Sequence, residues 1–256
     1  MFSVQKTIGR YLQVLKKNKN VLGVILTGSY GRNDFDLLSD FDNVVIVKRN
    51  DRGLRQGKFY FDNLLFDTRV MSIEKFSKSW SEDMVFAFWN EKVIYDKTNS
   101  IMKTIKRNKK KWQKVIIKQI NLTLAAMSVI IEFSKNWHGL KTQTHTEKYL
   151  KRKDYLSAHN LLNIGLSLII ELTYLSNKRP LPDMKNRLRL SIELDWRPWD
   201  DNAQLEKLIS VRSFTQKDVV RRRILLRRML RKTLLYLDEK FNLPRDVYKF
   251  YLINRS

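Results

Sequence analysis

Hydrophobic residues first recur in this chain at helical spacing. Over residues 3–20, Val4, Ile8, Tyr11, Leu12 and Leu15 share one side of a helix, while Lys6, Arg10, Lys16 and Lys17 share the other. Asn20 closes that helix, which is expected to pack under a sheet. The pattern then changes to short apolar runs. Val24-Ile25-Leu26 ends in Thr27-Gly28-Ser29, and Asp40-Phe41-Asp42 leads into a second run, Val44 to Val47. This reads as strand, tight turn, loop, strand. Lys48 to Gly57 is polar and predicts a surface loop. Lys58 to Met71 holds two aromatic and aliphatic arms separated by Asp62-Asn63, a pair suited to a hairpin turn. Ser72 is placed to cap a helix running toward Trp80, and Val93-Ile94-Tyr95-Asp96 predicts a further short strand.

From Ser100 onward the periodicity is helical. Ile116 to Trp137 places Ile120, Leu124, Met127 and Ile131 on one stripe, with Glu132 inside it as either a surface acid or an acceptor-side base. A second helix runs through Ala158, Leu162, Leu166, Ile169 and Leu172. The last, about 217–241, has Val220, Leu226, Leu230, Leu234 and Leu237 on its apolar side. Its other side holds Arg221, Arg222, Arg223, Arg227, Arg228, Arg231 and Lys232. Between the two helices, Trp196 to Asp201 reads as an irregular linker with two indoles able to stand exposed. The expected class is α+β: a small mixed sheet with flanking helices over residues 1–100, followed by a helical bundle over 101–256.

Length and charge narrow the function. The 256 residues suffice for a full core and contain no cysteine, which excludes disulfide and thiolate chemistry and makes a reducing cytoplasm the expected location. No apolar run approaches the roughly 20 residues of a membrane span, and the N-terminus lacks the continuous apolar core of a secretory signal. The net charge is +24. Residues 1–100 carry 16 Lys and Arg against 12 Asp and Glu; the remainder carry 34 against 14, so the excess lies in the second half. Such a field attracts RNA, DNA or nucleotides; a solvated basic surface explains it equally. His138, His145 and His159 show no metal-ligand spacing.

Candidate chemistry concentrates at Asp40 and Asp42. Two apart on an extended segment, both carboxylates point to one face and Phe41 to the other. Two such charges about 4 Å apart repel by about 4 kcal/mol at an effective dielectric near 20, and a divalent cation reverses that. Mg²⁺ (or Mn²⁺) takes one or two carboxylates together with substrate phosphate oxygens. Gly28 and Ser29 allow backbone N–H groups to approach a phosphate closely, and Arg32 is within reach of the same anion. A third acid is expected on a neighbouring strand: Asp67, because the turn accounts for Asp62.

Gly-Ser, then Ser-Asp-x-Asp, then a single acid on a later strand resembles the signature of the nucleotidyltransferase superfamily, which includes DNA polymerase beta and the kanamycin and lincosamide nucleotidyltransferases. The resemblance implies that Asp40 and Asp42 hold the metals, that Asp67 is the third ligand or the base, and that Gly28-Ser29 cradles the triphosphate. Two positions depart from the pattern: Gly31 stands where alanine is frequent, and Asn43 where an aliphatic residue is usual. A weaker likeness to the helical half of lincosamide-modifying enzymes covers Arg152, Asp154 and Lys185, which it implies line the nucleotide and acceptor cleft. A charge cluster at a helix start and a Pro-terminated helix end explain those residues as well.

The function implied is transfer of NMP from an NTP, ATP among the candidates, to a hydroxyl on RNA, a small molecule or a protein. A polycationic aminoglycoside acceptor is disfavoured by the chain's own charge. The alternative is a non-catalytic nucleic-acid-binding or regulatory protein that keeps the fold.

Overall fold

The structure, a computed structural model, describes residues 4–36, 39–49, 53–127, 136–137, 140–141, 145–182 and 184–242. The chain divides into two compact units, Met1–Gln113 and Lys114–Ser256, and the division falls inside a long helix.

The first unit is built on a five-stranded sheet. Helix α1 (Val4–Lys17) precedes β1 (Val21–Leu26), the short α2 (Gly28–Arg32) and β2 (Phe41–Val47). The hairpin β3 (Gly57–Phe61) and β4 (Leu64–Ser72) follows, then α3 (Ile73–Ser77), α4 (Glu82–Ala87), β5 (Lys92–Asp96) and the start of α5 (Ser100–Met127). The strand order is β3-β4-β2-β1-β5. Only β2 and β4 run parallel; the other three pairings are antiparallel.

Both faces of the sheet are covered, which explains why β1 and most of β2 are buried and read as continuous apolar runs. On one face Tyr11 and Leu15 of α1 pack with Val24, Leu26, Phe41, Val45, Val47 and Phe66. On the other, Ile101 and Ile105 of α5 pack with Leu22, Ile25, Val44, Ile46, Phe76 and Phe88. The turn between β3 and β4 places Asp62 at φ 49° and Asn63 at φ 65°, the left-handed pair that a two-residue hairpin demands. Ser72 caps α3 by accepting from the Lys75 N–H. That helix ends at Ser77 rather than reaching Trp80, whose indole instead donates to the Phe76 carbonyl.

The second unit is helical. It contains α6 (His145–Lys151), α7 (Tyr155–Ser176), α8 (Arg187–Ser191), α9 (Asn202–Ile209) and α10 (Gln216–Phe241). Asp154, Asp201 and Thr215 supply the side-chain caps of α7, α9 and α10. Asn136–Trp137 pairs with Leu140–Lys141 as two short strands, β6 and β7, where the periodicity suggested helix through residue 137. Ile131 and Glu132 lie outside the described residues. Among the described residues α7 alone is long and apolar enough to cross a membrane, by length and composition only, a test that a buried core helix also passes; half of that stretch is buried inside the protein.

Three expectations fail in this unit, those of Trp199 and Arg222 because neighbouring elements cover what a lone helix or linker leaves open. Trp199 is buried, not an exposed indole. On α10 the buried valine is Val219, and Val220 is exposed. Arg222, assigned to the solvated basic side, is fully buried.

Candidate active site

Strand register assembles the site. In the parallel β2–β4 ladder the successive partners are Phe41 with Phe66, Asp42 with Asp67, and Asn43 with Thr68. Residues on adjacent rungs point to opposite faces. The phenylalanines therefore enter the α1 core while Asp42 and Asp67 emerge together on the other side. Asp40 joins them from the end of the loop before β2. One ligand atom from each of the three half-buried carboxylates lies within 4.8 Å of the others. Among the described residues this is the single group of three or more acids or histidines spaced to hold a metal ion. An all-oxygen donor set of this size fits a hard divalent cation.

Gly28 is required where it stands. Its φ is +58°, and a Cβ there would lie 2.0 Å from Asp42 Oδ2. The backbone thus turns against the acid itself, and the Thr27 N–H donates to the Asp42 carbonyl at 3.1 Å. Ser29 follows in the first turn of α2. Gly31 has its own reason to lack a side chain: a Cβ would meet the Leu26 carbonyl oxygen at 2.9 Å and that of Asn90 at 3.0 Å. The Arg32 Nε donates to Asp34 at 3.2 Å, so the structure engages that guanidinium with a neighbouring acid.

The rung beneath the acids is polar and buried. The Asn43 amide donates to Thr68 Oγ1 at 2.9 Å, and Thr68 Oγ1 is 3.2 Å from the Tyr11 hydroxyl. Burial pushes the Tyr11 phenol above its ordinary pKa despite that bond to Thr68. This chain of polar groups ties β2, β4 and α1 together one rung from the metal-type acids, and it explains why an asparagine is accommodated where an aliphatic residue is usual. Lys58, on β3, donates from Nζ to Asp40 Oδ2 at 3.0 Å. The bond to Asp40 raises the lysine pKa above its ordinary value, with Asp67 and Asp42 adding in the same direction.

Residues 8–157 match the family described as the nucleotidyltransferase domain. This chain belongs to that family. The nucleotidyltransferase domain thus covers more than half of the sequence, and a nucleotidyl-transfer role follows at that level of generality. Among solved structures, a nucleotidyltransferase-like protein from Exiguobacterium sibiricum 255-15 is similar at 12% identity, covering 95% of this chain and 80% of its own, with a TM-score of 0.46. No curated protein matches the chain.

The remaining candidates lie in the second unit. Arg152 is exposed just after α6. Asp154 is the N-cap of α7; its carboxylate accepts the Ser157 N–H at 3.0 Å, and that bond holds its pKa below the usual carboxylate range. Lys185 is exposed before α8. Asn177, in the same sequence element as Lys185, closes the chain on itself by bonding both the carbonyl and the N–H of Trp196. His138 lies outside the described residues, and His145 opens α6.

Two features escaped the sequence. Lys58 could have been found from its alternation with Phe59, which mirrors Asp67 with Phe66. The other is a buried cluster: Arg222 donates to the Leu208 carbonyl, His159 Nδ1 and Asn163 Oδ1 at 2.7, 2.8 and 2.6 Å. No local signal marks it, because its members are 59 and 63 residues apart.

Proposed function

We propose that this nucleotidyltransferase domain moves NMP from an NTP to an acceptor hydroxyl, using a divalent cation, Mg²⁺ or Mn²⁺, held by Asp40, Asp42 and Asp67. The observation that carries the reading is the pairing of Asp42 with Asp67 across β2 and β4, with Asp40 beside them. A bound cation would neutralise the triphosphate and favour its alignment with the acceptor. Gly28 and Ser29 give the phosphates close approach to backbone. The acceptor oxygen bonds to the α-phosphorus, the bond from that phosphorus to pyrophosphate breaks, and the hydroxyl proton leaves to a base. Asp67 either completes the donor set or takes that proton. Metal titration of Asp67→Asn separates the roles: a ligand's loss weakens Mn²⁺ binding, whereas a base's loss lowers turnover alone. We assign Arg152, Asp154 and Lys185 to nucleotide or acceptor binding, in support of which stand the positive charges of Arg152 and Lys185 and the second sequence likeness.

The positive charge of the second half favours a polyanionic acceptor, RNA foremost. The test is transfer of α-labelled NTPs, each with Mg²⁺ or Mn²⁺, into total RNA, protein extract and small metabolites. Label should enter one fraction and fall at least about 100-fold in Asp40→Asn/Asp42→Asn, the scale expected when electrostatic stabilisation of the reacting group is removed. Transfer at the wild-type rate by that double variant would refute the assignment. Failure of every NTP to label any fraction, while RNA binding persists without metal, would favour the non-catalytic reading.

A further inference from the structure

The acid triad contains its own cation. In the β3–β4 ladder Lys58 is the partner of Asp67, which in turn partners Asp42 in the β2–β4 ladder. A single row across three strands therefore reads Lys58, Asp67, Asp42. The preceding row on β4 and β2, Phe66 and Phe41, is matched on β3 by Phe59, and all three enter or pack against the α1 core. Alternation then puts the Lys58 side chain on the face of the acids. Its ammonium closes the row by bonding Asp40 Oδ2 at 3.0 Å, while most of its side chain stays in solvent.

Such a bond engages Asp40 Oδ2, an oxygen of a carboxylate on which a hard cation would also draw. A divalent ion can engage Asp40 fully only as the lysine gives up its hold, and the long, exposed stem lets it do so with little loss of packing. Building on the metal site assigned above, we propose that Lys58 is a tethered counter-ion of the triad. It occupies Asp40 in the metal-free protein, competes with the divalent cation, and makes tight metal uptake depend on a triphosphate that can receive the released ammonium. This discourages loading of metal without substrate.

Calorimetric titration of Mn²⁺ into wild-type protein, Lys58→Gln and Lys58→Arg, with and without a non-hydrolysable NTP analogue, tests the idea without relying on turnover. In the absence of nucleotide, Lys58→Gln should bind Mn²⁺ about 2- to 5-fold more tightly than wild type, the range expected for loss of one exposed ion pair, and Lys58→Arg should resemble wild type. Addition of the analogue should tighten Mn²⁺ binding more in wild type than in Lys58→Gln. Equal or weaker Mn²⁺ binding by Lys58→Gln without nucleotide would overturn the competition and leave the metal site standing. Absence of Mn²⁺ binding by folded wild type under both conditions would overturn the metal site and the role of Lys58 together.

Discussion

At the scale of single residues, the site depends on atoms that are missing as much as on those present. Gly28 combines a left-handed φ with a backbone so close to Asp42 that a Cβ would lie 2.0 Å from Oδ2. Gly28→Ala should therefore cost about 1–2 kcal/mol in backbone strain and also displace Asp42. The expected outcome is a lowered melting temperature with Mn²⁺ binding reduced well beyond what the loss of stability explains; calorimetry on the folded variant measures it. The two aspartates spaced by one residue, and the glycine before them, are legible in the sequence because they lie close together along the chain. Lys58 is marked only by its alternation with Phe59, since its bond to Asp40 joins residues 18 apart along the chain.

At the scale of elements, turns and caps explain why the strands meet in the observed register. The β3–β4 turn needs positive φ at both Asp62 and Asn63, and Asp62 also meets Arg10 of α1 at 2.8 Å. Asn63→Val should destabilise the hairpin by about 1–2 kcal/mol, because a branched side chain is strained in the left-handed region; chemical denaturation checks this. In the helical unit, α7 and α10 share the buried contact of His159 with Arg222. Burial, with the adjacent Arg222 charge adding to it, lowers the His159 pKa below 6.5, although its bond to the Ser213 carbonyl and Asp218 oppose the shift. The unfolded histidine then takes a proton before the folded one does. Stability from this group is therefore complete above pH 6.5 and is lost as pH falls through the lower folded value. Thermal unfolding from pH 7.5 down to about 5 should show that loss in wild type and a shallower one in His159→Gln.

At the scale of the whole molecule, charge is less available than composition suggests. Arg221 bonds Asp218, Arg223 bonds Glu147, Lys232 bonds Asp200, and Arg222 is buried. The exposed arginines of α10 are Arg227, Arg228 and Arg231. On α5, Lys103, Lys106, Arg107, Lys110 and Lys111 are exposed along one side. If RNA is the acceptor, the triple change of Arg227, Arg228 and Arg231 to Gln should lower the slope of log affinity against log salt by about 2, at roughly 0.7 for each phosphate no longer neutralised. Filter binding across salt concentrations reads that slope. An unchanged slope would place the RNA elsewhere.

The sequence by itself determined the hydrophobic periods, and with them the five strands of the main sheet, the hairpin, the long helices α1, α7 and α10 and the class of fold. It also marked Asp40 and Asp42, because alternation along a strand assigns each side chain to a face without reference to the rest of the chain, and Asp67, because the hairpin turn accounts for Asp62. Tertiary structure alone decided which residues stand opposite one another. Register between strands aligned Asp42 with Asp67 and Lys58, and packing between helices turned Arg222 from a surface cation into a buried donor. The physical reason is common to both: pairing across elements and burial are set by long-range contacts, and a local pattern carries no information about the partner that will cover it.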